Sequence, residues 1–176
     1  RFDEQDVPDV VLRGASHLHV GYPPVMSTLR EEPGRLLEIF SRARRLGLST
    51  SLDFCSIDPN SAAGRVDWRA WLTKVLPACD YFLPSLDEVA VMLGREIPQE
   101  REAISQVLFE LAELGPRIVM LKLGPRGLVG YDRVEGVEVH EPCFAVDVAS
   151  TTGSGDCTIA GFLSAYVSQR EPLDHA

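Results

Sequence analysis

Short apolar runs separated by stretches of helical periodicity constrain this chain most, because that alternation leaves few folds open. Ser16 to Gly21 reads as a short buried strand, and Leu48 to Phe54 as a second. Between them, Pro33 to Leu46 carries Leu36, Leu37, Phe40, Ala43 and Leu46 on one stripe, with Arg35, Glu38, Arg42 and Arg45 opposite. Gly47 is a natural helix stop. A helix over Asp67 to Leu76 follows, capped by Asp67 and ended by Pro77. Asp80 to Leu83 is the third strand, and Pro84-Ser85 opens a helix running to Leu93 before Gly94. Gln99 to Leu114 has Ile104, Val107, Leu108, Leu111 and Leu114 at helical spacing. Arg117 to Lys122 is apolar throughout its middle, as in the centre of a parallel sheet. Leu128 to Tyr131 and Val137 to His140 form a hairpin, and the last element is a helix over Asp156 to Ser168. The expectation is a three-layer α/β/α fold with a mostly parallel sheet and right-handed crossovers. No linker or repeat interrupts it, so residues 1–176 read as a single domain.

In such sheets ligands bind at the carboxyl ends of the strands, which directs attention to the loops after Gly21, Phe54, Leu83, Lys122 and Val148. Composition narrows the partners. A formal net charge of −9 and no basic run exclude nucleic acid, whose phosphates need a concentrated positive field. No apolar stretch has the length of a bilayer span, and the polar opening, Arg1 to Asp6, carries no signal pattern. The chain opens without Met and stops at Pro172 to Ala176 with no cap after the preceding helix. It therefore reads as a piece of something longer. Cys55, Cys79, Cys143 and Cys157 form no CxxC pair and read as reduced, small buried residues of a cytoplasmic protein. His17 and His19 share one face of a strand, which suits metal ligation or plain strand-end packing.

Chemistry concentrates in Ser150-Thr-Thr-Gly-Ser-Gly-Asp156, followed directly by a helical pattern. Two glycines flanking one small residue turn the backbone so that its amides point one way. A helix start adds unpaired N–H groups, so the loop is a ready anion site. Asp156 would repel a bare phosphate, but it fits as the base for a hydroxyl attacking phosphorus while amides stabilise the transferred charge. As a second reading, the loop is a glycine-rich turn with Asp156 as a helix cap. Lys122-Leu-Gly-Pro-Arg-Gly127 ends the central strand with a side-chain-free wall suited to a nucleotide. Asp87-Glu88 follows the third strand and brings a carboxylate toward a phosphate-bound Mg²⁺, or serves as a solvated first-turn acid. There is no GxxxxGK[ST] loop, and no GxGxxG because position 158 is Thr.

Together these segments resemble the ribokinase-like (PfkB) carbohydrate kinases, in the same order along the chain. Ser150 to Asp156 resembles the family's DTTGAGD signature. The resemblance implies Asp156 as catalytic base, with Gly153, Ser154 and Gly155 forming the anion hole. Lys122, Gly124 and Gly127, with Thr152, are implied on the nucleotide side. Phe82 to Glu88 resembles the LPNxxE segment, implying Glu88 and Ser85 for Mg²⁺ and phosphate. Asp58-Pro-Asn60 with Trp68 and Trp71 resembles the DxN…W stretch. Ser150 replaces the signature's first Asp, Ser154 its Ala, and Ser85 the Asn of LPNxxE. The family's lid region would precede Arg1 and its last elements would follow Ala176. What the resemblance implies is an ATP- and Mg²⁺-dependent phosphotransferase acting on a sugar hydroxyl, with ATP and a small sugar acceptor as partners. It allows a homodimer of the longer parent. A catalytically silent ligand sensor of the same fold, or a nucleoside or hydroxymethylpyrimidine kinase, stays open.

Overall fold

Two of the helices, Trp68–Val75 and Leu86–Leu93, begin at a side-chain cap. A computed structural model describes residues 2–168; residues 172–176, where the uncapped end was noted, lie outside them. The elements run α1 (Asp9–Leu12), β1 (His17–Val20), α2 (Ser27–Glu31), α3 (Pro33–Arg45), β2 (Ser49–Leu52), α4 (Trp68–Val75), β3 (Tyr81–Phe82), α5 (Leu86–Leu93), α6 (Arg101–Glu113), β4 (Ile118–Lys122), β5 (Leu128–Asp132), β6 (Val137–Glu141) and α7 (Ser154–Ser168). Pro33, with its fixed φ, opens α3. Asp67 accepts a 3.0 Å bond from the Ala70 amide at the head of α4. Gly94, at φ +63°, closes α5 in the left-handed conformation. The residues fall into two compact units, one reaching to Cys143 and the other starting at Phe144.

In the first unit a six-stranded sheet keeps sequence order, β1 through β6. β1 to β4 are parallel neighbours, and β5 and β6 add an antiparallel hairpin at the β4 edge. Parallel strands in sequence order need crossovers of one hand, which bring α3 to α6 to one face. Val20, Leu52, Phe82, Val119, Leu121 and Val129 meet those helices in the main core, together with Leu36, Phe40, Leu72, Val89 and Leu108. Ile39 joins the α3 stripe, whereas Leu37 is only partly buried. Phe54, Trp68, Trp71 and Phe82 pack edge to face, their ring centroids 5.3–6.0 Å apart where Phe54 meets each of the others. The buried indoles keep their hydrogen bonds, Trp68 to the Ala63 carbonyl at 2.9 Å and Trp71 to that of Leu29 at 3.0 Å.

Residues on the opposite face, Tyr81, Ile118 and Met120, are buried as well. There His17 bonds the Ser49 and Ser51 hydroxyls, each at 2.7 Å, and stacks on Tyr81. His19 bonds Ser51 at 2.7 Å. The two histidines therefore pack within the sheet, and among the described residues no cluster of three or more His, Cys, Asp or Glu could hold a metal.

Two short helices carry no periodic signal. α1 is held by a clasp instead: Arg42 on α3 donates to Asp9 at 2.8 Å, to the Val7 carbonyl at 2.6 Å and to that of Glu4 at 2.9 Å. The cysteines need correction. Only Cys79 is buried; Cys55 is half-buried, and Cys143 and Cys157 are exposed because one follows the edge strand β6 and the other lies in the open first turn of α7. No described helix is long and apolar enough to cross a membrane.

Candidate active site

The strand ends of β2, β3 and β4 set the geometry of the first unit. β3 is only two residues long, and Pro84 soon after it has no N–H to continue the ladder. The pairing closes through the Pro84 carbonyl, which accepts from the Lys122 amide at 3.0 Å, and through a bridge between Ser85 and Lys122. The Lys122 side chain then crosses the short end of β3 to Asp53, which directly follows β2. Nζ lies 2.7 Å from Oδ1, with the two side chains 13% and 3% exposed. Burial pushes the Asp53 carboxyl up to about 6, although the Lys122 ammonium draws it down; the charge of Glu88 adds to the rise. Burial also raises the Cys55 thiol, helped by the charges of Glu88 and Asp53.

Glu88 and Ser85 form a reciprocal capping box on α5. The Ser85 amide donates to Glu88 Oε2 at 2.7 Å, and the Glu88 amide donates to Ser85 Oγ at 3.3 Å. Glu88 is half-buried and Asp87 exposed, so Glu88 is the acid aimed toward the strand ends. Its cap uses one oxygen. A single carboxylate oxygen with no cage of protein ligands suits Mg²⁺ that arrives on a phosphate and keeps its waters. The residues present fit an ion of that kind.

After Lys122 the chain makes a tight turn, Gly124–Arg126, closed by the Leu123 amide on the Gly127 carbonyl at 2.8 Å. Its two glycines differ. At Gly124 (φ +59°) a Cβ would meet nothing within 4 Å. At Gly127 (φ +89°) it would lie 2.0 Å from the Glu141 carbonyl oxygen and 2.8 Å from the Cys143 nitrogen, so the backbone after β6 fills the space a side chain would need. Arg126 turns away to bond Gln99.

In the second unit, Gly153 at φ +79° lets the chain enter α7 at Ser154, two residues earlier than the expected start at Asp156. The Gly153 carbonyl accepts the first helical bond from the Cys157 amide at 2.9 Å. Asp156 is thus an exposed acid within the first turn, not the cap. Ser150 Oγ accepts from the Thr152 amide at 3.2 Å and ties the approach to the helix. Among the described residues no acceptor meets the Gly153 or Gly155 amide. The Ser154 amide, expected in the anion hole, is instead taken by the Thr151 carbonyl at 3.1 Å, so Gly153 and Gly155 present the open amides beside the Asp156 carboxylate at one helix start, with Thr152 next to them.

The structure brings together Ser85, Glu88 and Lys122, and adds Asp53, which the sequence reading passed over. The signal was available: a lone acid at the carboxyl end of a short buried strand. Asp58 and Asn60 instead form an exposed turn, the Asn60 amide donating to Asp58 Oδ1 at 2.9 Å, while Trp68 and Trp71 belong to the core.

Comparison with known proteins bears on the fold and the family. Deoxyribokinase of Salmonella typhi is 29% identical over 89 residues, which span 51% of this chain and 28% of that enzyme. Among solved structures, a PfkB protein from Polaromonas sp. JS666 superposes with a TM-score of 0.71 at 23% identity, covering 96% of this chain and 52% of that one. Fructokinase from Xylella fastidiosa with bound ATP gives 0.73 at 20% identity, covering 97% and 50%. Ribokinase of Arabidopsis thaliana with ribose and ATP gives 0.68 at 21%, covering 92% and 46%. The likeness to these structures is one of fold, the ribokinase-like α/β fold, and the chain spans about half their length. The sequence model of the pfkB carbohydrate kinases matches residues 16–176, and the chain belongs to that family.

Proposed function

We propose that this chain carries the phosphoryl-transfer part of an ATP-dependent kinase whose acceptor is a hydroxyl of a small sugar. One observation carries the reading: an exposed carboxylate, Asp156, in the first turn of α7, beside the unengaged amides of Gly153 and Gly155. Asp156 takes the proton of the acceptor hydroxyl as its oxygen bonds to the γ-phosphorus. The bond from that phosphorus to the β–γ bridging oxygen breaks, and ADP leaves with the electron pair. The amides of Gly153 and Gly155 and the positive end of the helix receive the charge on the transferred group, worth most where water is excluded. Gly124 and Thr152 would face the nucleotide, while Lys122 and Gly127 shape that side through the main chain of the turn, the Lys122 ammonium being held by Asp53 and the space at Gly127 being filled by the chain after β6. Mg²⁺, when bound, neutralises phosphate charge; Glu88 would hold it through its outer oxygen, with Ser85 fixing the Glu88 side chain. The relatives named above, sugar kinases solved with ATP among them, support ATP as donor and a sugar as acceptor. On this reading the protein works in the cytoplasm, where ATP is supplied.

The test is Asp156→Asn in the intact protein, assayed for ADP release across a panel of sugars and nucleosides. Turnover is expected to fall at least ~10²-fold with nucleotide affinity retained, the scale of a positioned base. Near-normal turnover would refute Asp156 as the base. ATP binding without ADP release on any acceptor would refute the enzyme reading and favour a ligand sensor.

A further inference from the structure

Three charged side chains converge where β3 stops short. Asp53 follows β2, Lys122 ends β4, and Glu88 stands in the first turn of α5. The Glu88 carboxylate is bonded to the Ser85 amide at 2.7 Å, and Ser85 is itself the bridge partner of Lys122. The Lys122 ammonium, on a flexible four-carbon stem, is bonded to Asp53 at 2.7 Å, while Glu88 is tied to the residue that bridges the Lys122 backbone. The choice matters. An ammonium seated on Glu88 would neutralise the acid left for a cation, whereas Asp53, only 2% exposed, is too enclosed to serve a ligand directly.

Resting on the kinase reading above, we propose that Asp53 is a positioning residue: by holding the Lys122 ammonium at the end of β2 it keeps the outer oxygen of Glu88 open to a phosphate-borne divalent ion. The two carboxylates lie within electrostatic range, since the charge of Glu88 acts on Asp53. Asp53 acts through Lys122 and touches no substrate. Its removal frees the ammonium to move to the neighbouring acid.

The experiment measures Mn²⁺ binding in the presence of ADP, by the electron paramagnetic resonance signal of free Mn²⁺. The proteins are the intact wild type, Asp53→Asn, Lys122→Met and the double variant; ADP affinity without metal is measured alongside. Asp53→Asn is expected to weaken Mn²⁺ binding about 10-fold, the scale for losing a group that orients a metal ligand, with metal-free ADP affinity unchanged. The double variant, which removes the freed ammonium too, is expected to bind Mn²⁺ within about twofold of Lys122→Met alone. It also replaces a buried ion pair by neutral groups, so it keeps the test open should Asp53→Asn alone fold poorly. Wild-type Mn²⁺ affinity in Asp53→Asn, or a double variant weaker than Lys122→Met by the full loss, overturns the inference while leaving the kinase reading intact. A wild type that takes up no Mn²⁺ with ADP, together with normal turnover in Asp156→Asn, overturns both.

Discussion

Gly127→Ala and Gly124→Ala separate what the turn after β4 requires from what glycine merely permits. Both glycines have positive φ, +89° and +59°. Only Gly127 is crowded: an added Cβ would sit 2.0 Å from the Glu141 carbonyl oxygen, so that backbone must retreat by roughly 1.5 Å to reach ordinary van der Waals separation. Holding an alanine at φ +89° and ψ −135° costs on the order of 1–3 kcal/mol in backbone strain. Overpacking against the end of β6 adds about 1–3 kcal/mol. Gly124→Ala meets open space and bears only the left-handed penalty, about 1–2 kcal/mol. The expected difference between the two variants is therefore about 2 kcal/mol, Gly127→Ala being the less stable. Urea unfolding followed by the fluorescence of the buried Trp68 and Trp71 reads it, as a midpoint lower by about 1 M at unchanged slope. Equal midpoints for the two variants would refute the steric argument. They would show that the β6 backbone yields without cost, and that the hairpin is not pinned at this point.

The remaining predictions use groups on the same face of the sheet or in the open loops. Burial pushes Asp53 up to about 6 in the folded chain from an ordinary value of 3.8, so its stabilising contribution is fully present below about pH 4 and is lost as pH rises through about 6. The unfolding free energy of wild type minus that of Asp53→Asn should accordingly fall by on the order of 3 kcal/mol between pH 4 and pH 7; a flat or rising difference would contradict it. Asp132 is opposite in sign: burial raises it, but bonds from Arg117 and from the Glu135 and Val134 amides more than offset this, so acid below its ordinary range removes stability. Taking the difference cancels that background. In thiol titration Cys143 and Cys157 should react fast, Cys55 slowly, and Cys79 only on unfolding, because burial raises the Cys79 thiol far above its ordinary range. A native protein with four fast thiols would contradict the burial described. Asp156→Asn, as set out above, should cost at least ~10²-fold in turnover.

Much of this architecture was legible locally. The stripe of α3, the Asp67 cap, the helix start at Pro84-Ser85, the stop at Gly94 and the hairpin of β5 and β6 depend on neighbours within a turn or two, so residue type and spacing decided them. The loop from Ser150 to Asp156 was legible for the same reason, apart from the two residues by which Gly153 advances the helix. The Asp53–Lys122 pair was not, because its members lie 69 residues apart and meet only when the sheet closes over a two-residue strand. No periodicity marks α1, which owes its place to the Arg42 clasp. Gly127 read as a flat wall for a ligand, and only the approach of the Glu141 backbone revealed that the glycine is needed by the chain itself. Sequence thus determined the strands, the longer helices and the Asp67 cap, since hydrogen bonding and rotamer preference act over a few residues. Tertiary structure decided which charges are buried together and which glycine is indispensable, since both depend on distances that exist only after distant strands have packed.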